Sequence, residues 1–480
     1  MAGTKDPQTT LTRPALIILC ATIFLSVTNA SMTSLALPKI ASDFDVRADD
    51  LSWVVTAYLI PFATGSMIYG RLADMFGTRR LYLFGLTVFA LASFATAAAP
   101  SFGLLIGARV LQGMGGTAIP SLSLATIIRT TSPADRGSAM GATIMVLGLG
   151  FASGPLVGGL LTSVAGWHGP FLAMGAGGAV LLPFAARYIP GLPGSRDLTF
   201  DYAGAVLIVG AVTGAILALN RLPRDVGDPL GVAGLITAIP LAVLLVVRMR
   251  TARDPFIHRE IAANGRFWGL SVLGLTVQGG HFAVLTVIPL LLAKYYGIGA
   301  IETGLYLVPG ALAIAALGMA GGALLNRVGA RFLLCWGAAI LLAGVVVFHV
   351  AGVGWRPAGI AALYVAVAAG YGMVNAAVIT TATGVLPARL AGLGSGTYNL
   401  VYFLGGAISV ALVGAILRSR ESATDALDPL FSGEPVAYSD ALLVCVGFAI
   451  LGLILALSCA PRRPTAASRA DARTPEPASR

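Results

Sequence analysis

Apolar positions in this chain come in long unbroken runs, not in strict alternation or narrow amphipathic stripes. Fourteen runs can be read in order, over residues 14–37, 51–69, 81–99, 102–127, 138–164, 169–190, 202–219, 229–247, 267–292, 301–325, 332–352, 357–386, 390–417 and 440–460. A run of about 20 apolar residues matches an α-helix crossing the roughly 30 Å hydrocarbon core of a bilayer. Lipid offers the backbone no hydrogen-bonding partner, so each run predicts a helix whose N–H and C=O groups satisfy one another. The first run is longer than the apolar core of a signal peptide and no cleavage site follows, so it reads as a retained helix. Residues 461–480 are rich in Pro, Ala and Arg and predict a disordered tail.

Composition sharpens this picture. A soluble chain carries about 25% charged residues, whereas these 480 residues carry 11%, with 57% hydrophobic and a mean hydropathy of +0.86. That excludes a soluble enzyme and a disordered chain. It also argues against a nucleic-acid partner, because the net charge of +10 is scattered between apolar runs instead of gathered on one face. The expected fold class is an all-α integral membrane protein. With the N-terminus inside, 22 Lys/Arg fall on the cytoplasmic side and 8 outside, while Arg109 lies within a run. Basic residues are retained in the cytoplasm, so both termini are expected there. Cys20, Cys335, Cys445 and Cys459 lie in apolar segments without metal-ligand or redox spacing and read as buried thiols.

The chain repeats itself. Gly70, Leu72, Asp74, Gly77 and Arg79 follow the second run, and Gly322, Leu324, Asn326, Gly329 and Arg331 follow the tenth at one constant offset of 252. If runs seven and eight are an insert, the chain reads as six helices, two helices and six helices. The expected boundaries are a cytoplasmic segment 1–13, a bundle at 14–190, an inserted pair at 202–249, a bundle at 266–460 and the tail. Two repeated halves around a midplane site are the pattern of a rocking transporter.

Three segments carry chemistry. The first is Gly70-Arg-Leu-Ala-Asp74-Met-Phe-Gly77-Thr-Arg79-Arg80. Its glycines allow a tight turn, and Asp74 is expected to pair with Arg79 and Arg80; the plainer reading is a positive anchor. The second holds Arg109, Gln112, Gly113 and Gly115. An arginine deep in an apolar helix costs about 2.5–3.5 kcal/mol on insertion scales and needs a buried partner, either as a functional group or as a cap on buried carbonyls. The third is Gly141, Gly150, Gly154-Pro155 and Gly158-Gly159. Glycines four apart let helices approach closely, and the proline bends its helix.

Together these segments resemble the major facilitator superfamily, and within it the fourteen-span drug:proton antiporters, over residues 14–460. The resemblance implies the major facilitator fold in the bacterial cytoplasmic membrane. It implies proton-driven export of an antibiotic or other amphipathic molecule, with the proton motive force in place of a cofactor. Gly70, Asp74, Gly77, Arg79 and Arg80 would form a conformational latch and Arg109 would serve proton transfer. Gly141, Gly150, Gly154, Pro155, Gly158 and Gly159 resemble the signature that separates exporters from symporters. The expected partners are a small-molecule substrate, protons and lipid, with the chain acting as a monomer and not as an enzyme.

The sequence also departs from that family. Asn29 stands where many exporters of cationic drugs carry an acid, and Tyr402 where an arginine is frequent; no Asp or Glu lies mid-run. A strong preference for dications is therefore not expected, and a neutral, zwitterionic or anionic substrate suits Arg109 better. Proton coupling is left to Asp74, His281 or the substrate itself. His281 either relays protons or is a neutral histidine bonded to a neighbouring helix. Asn29, Gln112, Gln278, Asn375, Asn399 and Tyr402 are the candidate substrate contacts, with Thr28, Ser31, Trp53, Tyr58, Phe62, Tyr371 and Tyr398 as further lining. His168 and His349 are expected near the outer surface. A dedicated exporter of an endogenous metabolite, self-made antibiotic or lipid, and a non-transporting membrane receptor, are the alternatives. A membrane-embedded enzyme lacks a nucleophile beside a base, and an ATP-driven pump lacks its phosphate loop.

Overall fold

The computed structural model describes residues 11–46, 48–194, 200–222, 227–252, 255–387, 390–420, 425–427 and 435–460. Residues 1–10 and the tail 461–480 lie outside the described residues, as do the side chains of Ser31 and Pro155. The elements in order are α1 Arg13–Phe44, α2 Ala48–Phe76, α3 Thr78–Ala97, α4 Phe102–Thr130, α5 Pro133–Ala165, α6 His168–Tyr188, α7 Tyr202–Arg221, α8 Pro229–Thr251, the short α9 Arg259–Ala262, α10 Gly265–Lys294, α11 Ala300–Val328, α12 Ala330–Val350, α13 Pro357–Gly384, α14 Ala391–Ser419 and α15 Val436–Cys459. Among the described residues, eleven helices are long and apolar enough to cross a membrane. The other long helices, α1, α2 and α5, coincide with the first, second and fifth apolar runs.

Polar residues between the runs start the helices. Thr12, Ser101, Ser132, Asp228 and Asn264 each accept a hydrogen bond from a first-turn N–H. Pro14, Pro133 and Pro229 sit in the first turn, where a missing N–H costs nothing. The repeat is structural as well. The offset of 252 carries Ala48–Phe76 onto Ala300–Val328, so α2 and α11 share their bounds. Each ends at a glycine of positive φ, Gly77 at +88° and Gly329 at +84°, which turns the chain at once into α3 or α12.

Helices α1–α6 pack mainly on one another, through the pairs α3/α4, α1/α5, α2/α4 and α3/α6. Helices α10–α15 do the same through α11/α13, α12/α13, α10/α14 and α10/α15, and α7 packs chiefly on α8. The N-terminal and C-terminal sets meet mainly where α5 lies on α11 and α2 on α14. Large apolar side chains such as Leu160, Val164, Val180, Ile236, Val243 and Ile454 point outward and are exposed. So much outward apolar surface suits lipid, not water.

Candidate functional site

Arg109 is 1% exposed and sits inside the N-terminal set, on α4 and facing α2 and α6. Its Nε donates to the Val54 carbonyl at 2.8 Å and its Nη1 to Gln112 Oε1 at 2.6 Å. The guanidinium lies 4.5 Å from the Tyr58 ring centre and 5.6 Å from that of Phe171. Gln112 Nε2 passes the network on, to Ser93 Oγ at 2.7 Å and Asn29 Oδ1 at 3.3 Å. Arg109 is therefore held by a carbonyl, an amide and two aromatic faces. Each compensates part of the burial cost, and none cancels the charge.

The turn after α2 forms the second constellation. Asp74 was expected to pair with Arg79 and Arg80; the structure corrects this, since Asp74 Oδ1 is bonded by Arg129 Nη2 at the end of α4. Arg79 turns away to the Ala186 carbonyl of α6, and Arg80 is exposed. The reason is helical geometry: Gly77 reverses the chain between Asp74 and the two arginines, while α2 and α4 run side by side. The Asp74–Arg129 pair lies under the first turn of α14. A Cβ added to Gly392 would come within 2.7 Å of Asp74 Oδ1 and 2.8 Å of Arg129 Nη2. Asp74 thus faces the positive end of a helix from the other half. Gly70 packs there too, its missing Cβ 3.0 Å from the Gly392 carbonyl, and Ser66 Oγ donates to the Gly396 carbonyl at 3.3 Å. The two halves are closed on each other at this end.

The α5 glycines divide between two interfaces. Gly141 faces α11, where a Cβ would lie 2.7 Å from Met319 Cα. Gly150 and Gly158 face α1, at Val27 and Met32. Gly154 is buried and Gly159 half-buried.

The C-terminal set carries a neutral network. His281 Nε2 bonds the Tyr364 hydroxyl at 3.2 Å, and its ring stacks on Tyr371 with centres 4.0 Å apart. The Tyr371 hydroxyl donates to Gln278 Oε1 at 2.9 Å and meets the Tyr402 hydroxyl at 2.6 Å; Asn375 Nδ2 donates to both hydroxyls. Toward the other half, Asn375, Asn399, Tyr398 and Tyr402 line a cavity together with Ile23, Leu124 and Ile144. It encloses about 30 Å³, room for one water. Drug-sized pockets run to roughly 300–1,000 Å³, so the halves must part before such a molecule enters.

Of the six candidate contacts, Asn375, Asn399 and Tyr402 line this cavity. Asn29 and Gln112 instead belong to the Arg109 network, and Gln278 stands behind Tyr371. Tyr58 lies under Arg109, and Trp53 meets Arg221 of α7 at 5.4 Å. His349, in the last turn of α12, is 3% exposed, and its Nδ1 lies 2.9 Å from the Ser439 carbonyl. Sequence reading missed two buried acids. Asp440 accepts from Arg420 Nε at 2.7 Å and Leu427 N at 2.9 Å. Asp201 accepts from Arg248 Nε at 2.7 Å and from the Gly204 and Phe256 N–H groups. Each stands at the margin of an apolar run with an arginine on the adjoining helix, a pairing visible only once the fold is known.

Comparison with known proteins gives the site its context. Residues 19–410 match the Major Facilitator Superfamily. The cephamycin export protein CmcT of Amycolatopsis lactamdurans is 31% identical over 88% of each chain. The multidrug resistance protein Stp of Mycobacterium tuberculosis is 28% identical over 86% of this chain and 78% of its own. The riboflavin transporter RibZ of Clostridioides difficile is 27% identical over 66% of this chain and 69% of its own. The crystal structure of the human organic anion transporter MFSD10 shares the fold at a TM-score of 0.65 and 14% identity, covering 95% of this chain and 100% of that one. With its all-helical architecture and family match, this chain belongs to the Major Facilitator Superfamily: it is a multi-pass membrane protein and a transporter, not an enzyme.

Proposed function

We propose that the protein exports an amphipathic small molecule, an antibiotic among the candidates, by proton-driven alternating access. In this reading all fourteen long helices cross the bacterial cytoplasmic membrane and both termini face the cytoplasm. Helices α1–α6 and α10–α15 rock as two bundles about the cavity between them. The observation that carries the reading is the closed end: an acid–base pair in one half, Asp74–Arg129, held under the N-terminus of α14 in the other. Such a contact is made in one state and lost in the other, which is what a latch requires. The export direction takes support from the α5 glycines and from relatives named as cephamycin export and multidrug resistance proteins. Arg109 and His281 stand as the polar centres of the two halves, and proton coupling is assigned to Asp74, Arg109 and His281. A second reading, movement of an endogenous metabolite, takes support from the relative named as a riboflavin transporter.

Proton release from inverted vesicles tests the proposal. With a respiratory gradient imposed and a pH dye inside, an exported compound should dequench the dye. Asp74→Asn and Arg109→Ala should abolish that response while the protein remains folded and membrane-inserted. Full activity in both variants, or silence of the wild type across a broad panel, overturns the reading.

A further inference from the structure

We infer that the cavity between the halves is built for an uncharged, planar, carbonyl-bearing molecule; this substrate class rests on the transport reading above and narrows it. The two sides of the cavity differ in chemistry. The N-terminal half contributes mostly aliphatic side chains, Ile23, Leu124 and Ile144 among them, with Thr143 whose hydroxyl is committed to the Ala139 carbonyl, while the C-terminal half contributes aromatic rings and amides beside Ile379. Tyr398 and Tyr402 lie stacked with centres 5.7 Å apart and planes 23° apart, and Phe403 meets Tyr402 edge-on at 5.3 Å. An aromatic wall opposite an aliphatic one is a slot for a flat ring system.

Polar valence on the cavity is spare at two positions, the Tyr398 hydroxyl and the Asn399 amide. The Asn375 amide is committed to the Tyr371 and Tyr402 hydroxyls. Asn399 is 3% exposed and its Nδ2 has no partner. A buried N–H donor left open asks for an acceptor, and a ring carbonyl supplies one.

Charge is missing. None of the residues lining the cavity is an Asp, Glu, His, Lys or Arg. Arg109, which was expected to favour anions, is held away from the cavity by Val54, Gln112 and Tyr58. His281 bonds Tyr364 and lies against the Tyr371 ring. An ion entering would lose its hydration and find no counter-charge, which should cost about a hundredfold in affinity.

Fluorescence titration of the full chain in lipid nanodiscs reads this out. Riboflavin is the probe: uncharged, planar, bearing ring carbonyls, and quenched when it stacks on tyrosine. Lumichrome offers the same ring system without the side chain. Fluorescein as a planar dianion and propidium as a planar dication are the contrasts. The expected result is saturable binding of riboflavin or lumichrome, with both ions weaker by about a hundredfold. Asn399→Leu should weaken the neutral probe by about tenfold. The isosteric Asn399→Asp should raise propidium affinity, a gain that loss of fold could not produce. Tighter binding of either ion by the wild type, no binding of either neutral probe, or indifference to both substitutions overturns the inference. The transport reading fails separately. If neutral probes bind but no compound releases protons from vesicles, the class stands and proton-driven export falls; if only ions release protons, export stands and the class falls.

Discussion

The two polar networks, though not Arg109 itself, occupy equivalent positions. The 252-residue offset that relates the halves carries Asn29 onto His281. In the first half Asn29 reaches Arg109 through Gln112, while in the second His281 meets Tyr364 directly. One half holds a permanent charge and the other a group that can acquire one. His281→Gln keeps a side chain able to bond Tyr364, so the protein should fold and export should lose its dependence on external pH. An unchanged pH profile would make His281 a packing residue. The two turn glycines allow a sharper comparison. Gly77 and Gly329 adopt the same backbone, φ +88° with ψ 141° and φ +84° with ψ 157°, a region open essentially to glycine alone. A Cβ on Gly77 would also lie 2.7 Å from the Leu192 carbonyl, whereas one on Gly329 meets nothing within 4 Å. Gly329→Ala should cost about 1–3 kcal/mol of backbone strain. Gly77→Ala should cost more, visible as the larger drop in detergent-solubilised melting temperature.

Among the elements, the α7–α8 pair stands apart from the two larger sets. Its ends are tied together at Asp201, which caps α7, binds Arg248 near the end of α8 and accepts the Phe256 N–H beyond it. Burial pushes the Asp201 carboxyl up, but the bonds from Arg248, Gly204 and Phe256 outweigh it and hold the group below the ordinary carboxylate range. A depressed folded-state value stabilises the protein above the unfolded value of about 3.9, and that contribution is lost as pH falls through the folded value. Asp201→Asn should therefore lower the melting temperature at pH 7 and equally at pH 5, with the gap closing below about pH 4. Arg248 is 40% exposed and can regain water, so the loss is set by one charged hydrogen-bond group at about 1–3 kcal/mol. A gap that widens on acidification would show that Asp201 is not the clasp.

At the scale of the molecule, the closed end and the small cavity between the halves correspond, in the proposed alternating-access mechanism, to a single stage of the cycle. If the closure at Gly70 and Gly392 opens during export, tethering those positions must stop it. Cysteines placed there in a background without Cys20, Cys335, Cys445 and Cys459, joined by a short bifunctional thiol reagent, should abolish export, and a cleavable linker should restore it on reduction. Export that persists through complete crosslinking would mean that this end does not move.

The amino-acid sequence by itself determined the helices, because a twenty-residue apolar run has one low-energy form in lipid and its polar borders start and stop it. It also determined the repeat, because one turn geometry needs glycine at both Gly77 and Gly329. The tertiary structure decided partners. Asp74 chose Arg129 over the nearer Arg79 and Arg80, and Asn29 and Gln112 went to Arg109 while Asn375, Asn399 and Tyr402 went to the cavity. Hydropathy is a property of each residue alone, but a partner depends on which helix face meets which. Runs that are apolar all round do not encode that face, so it is chosen only when close packing brings the helices together.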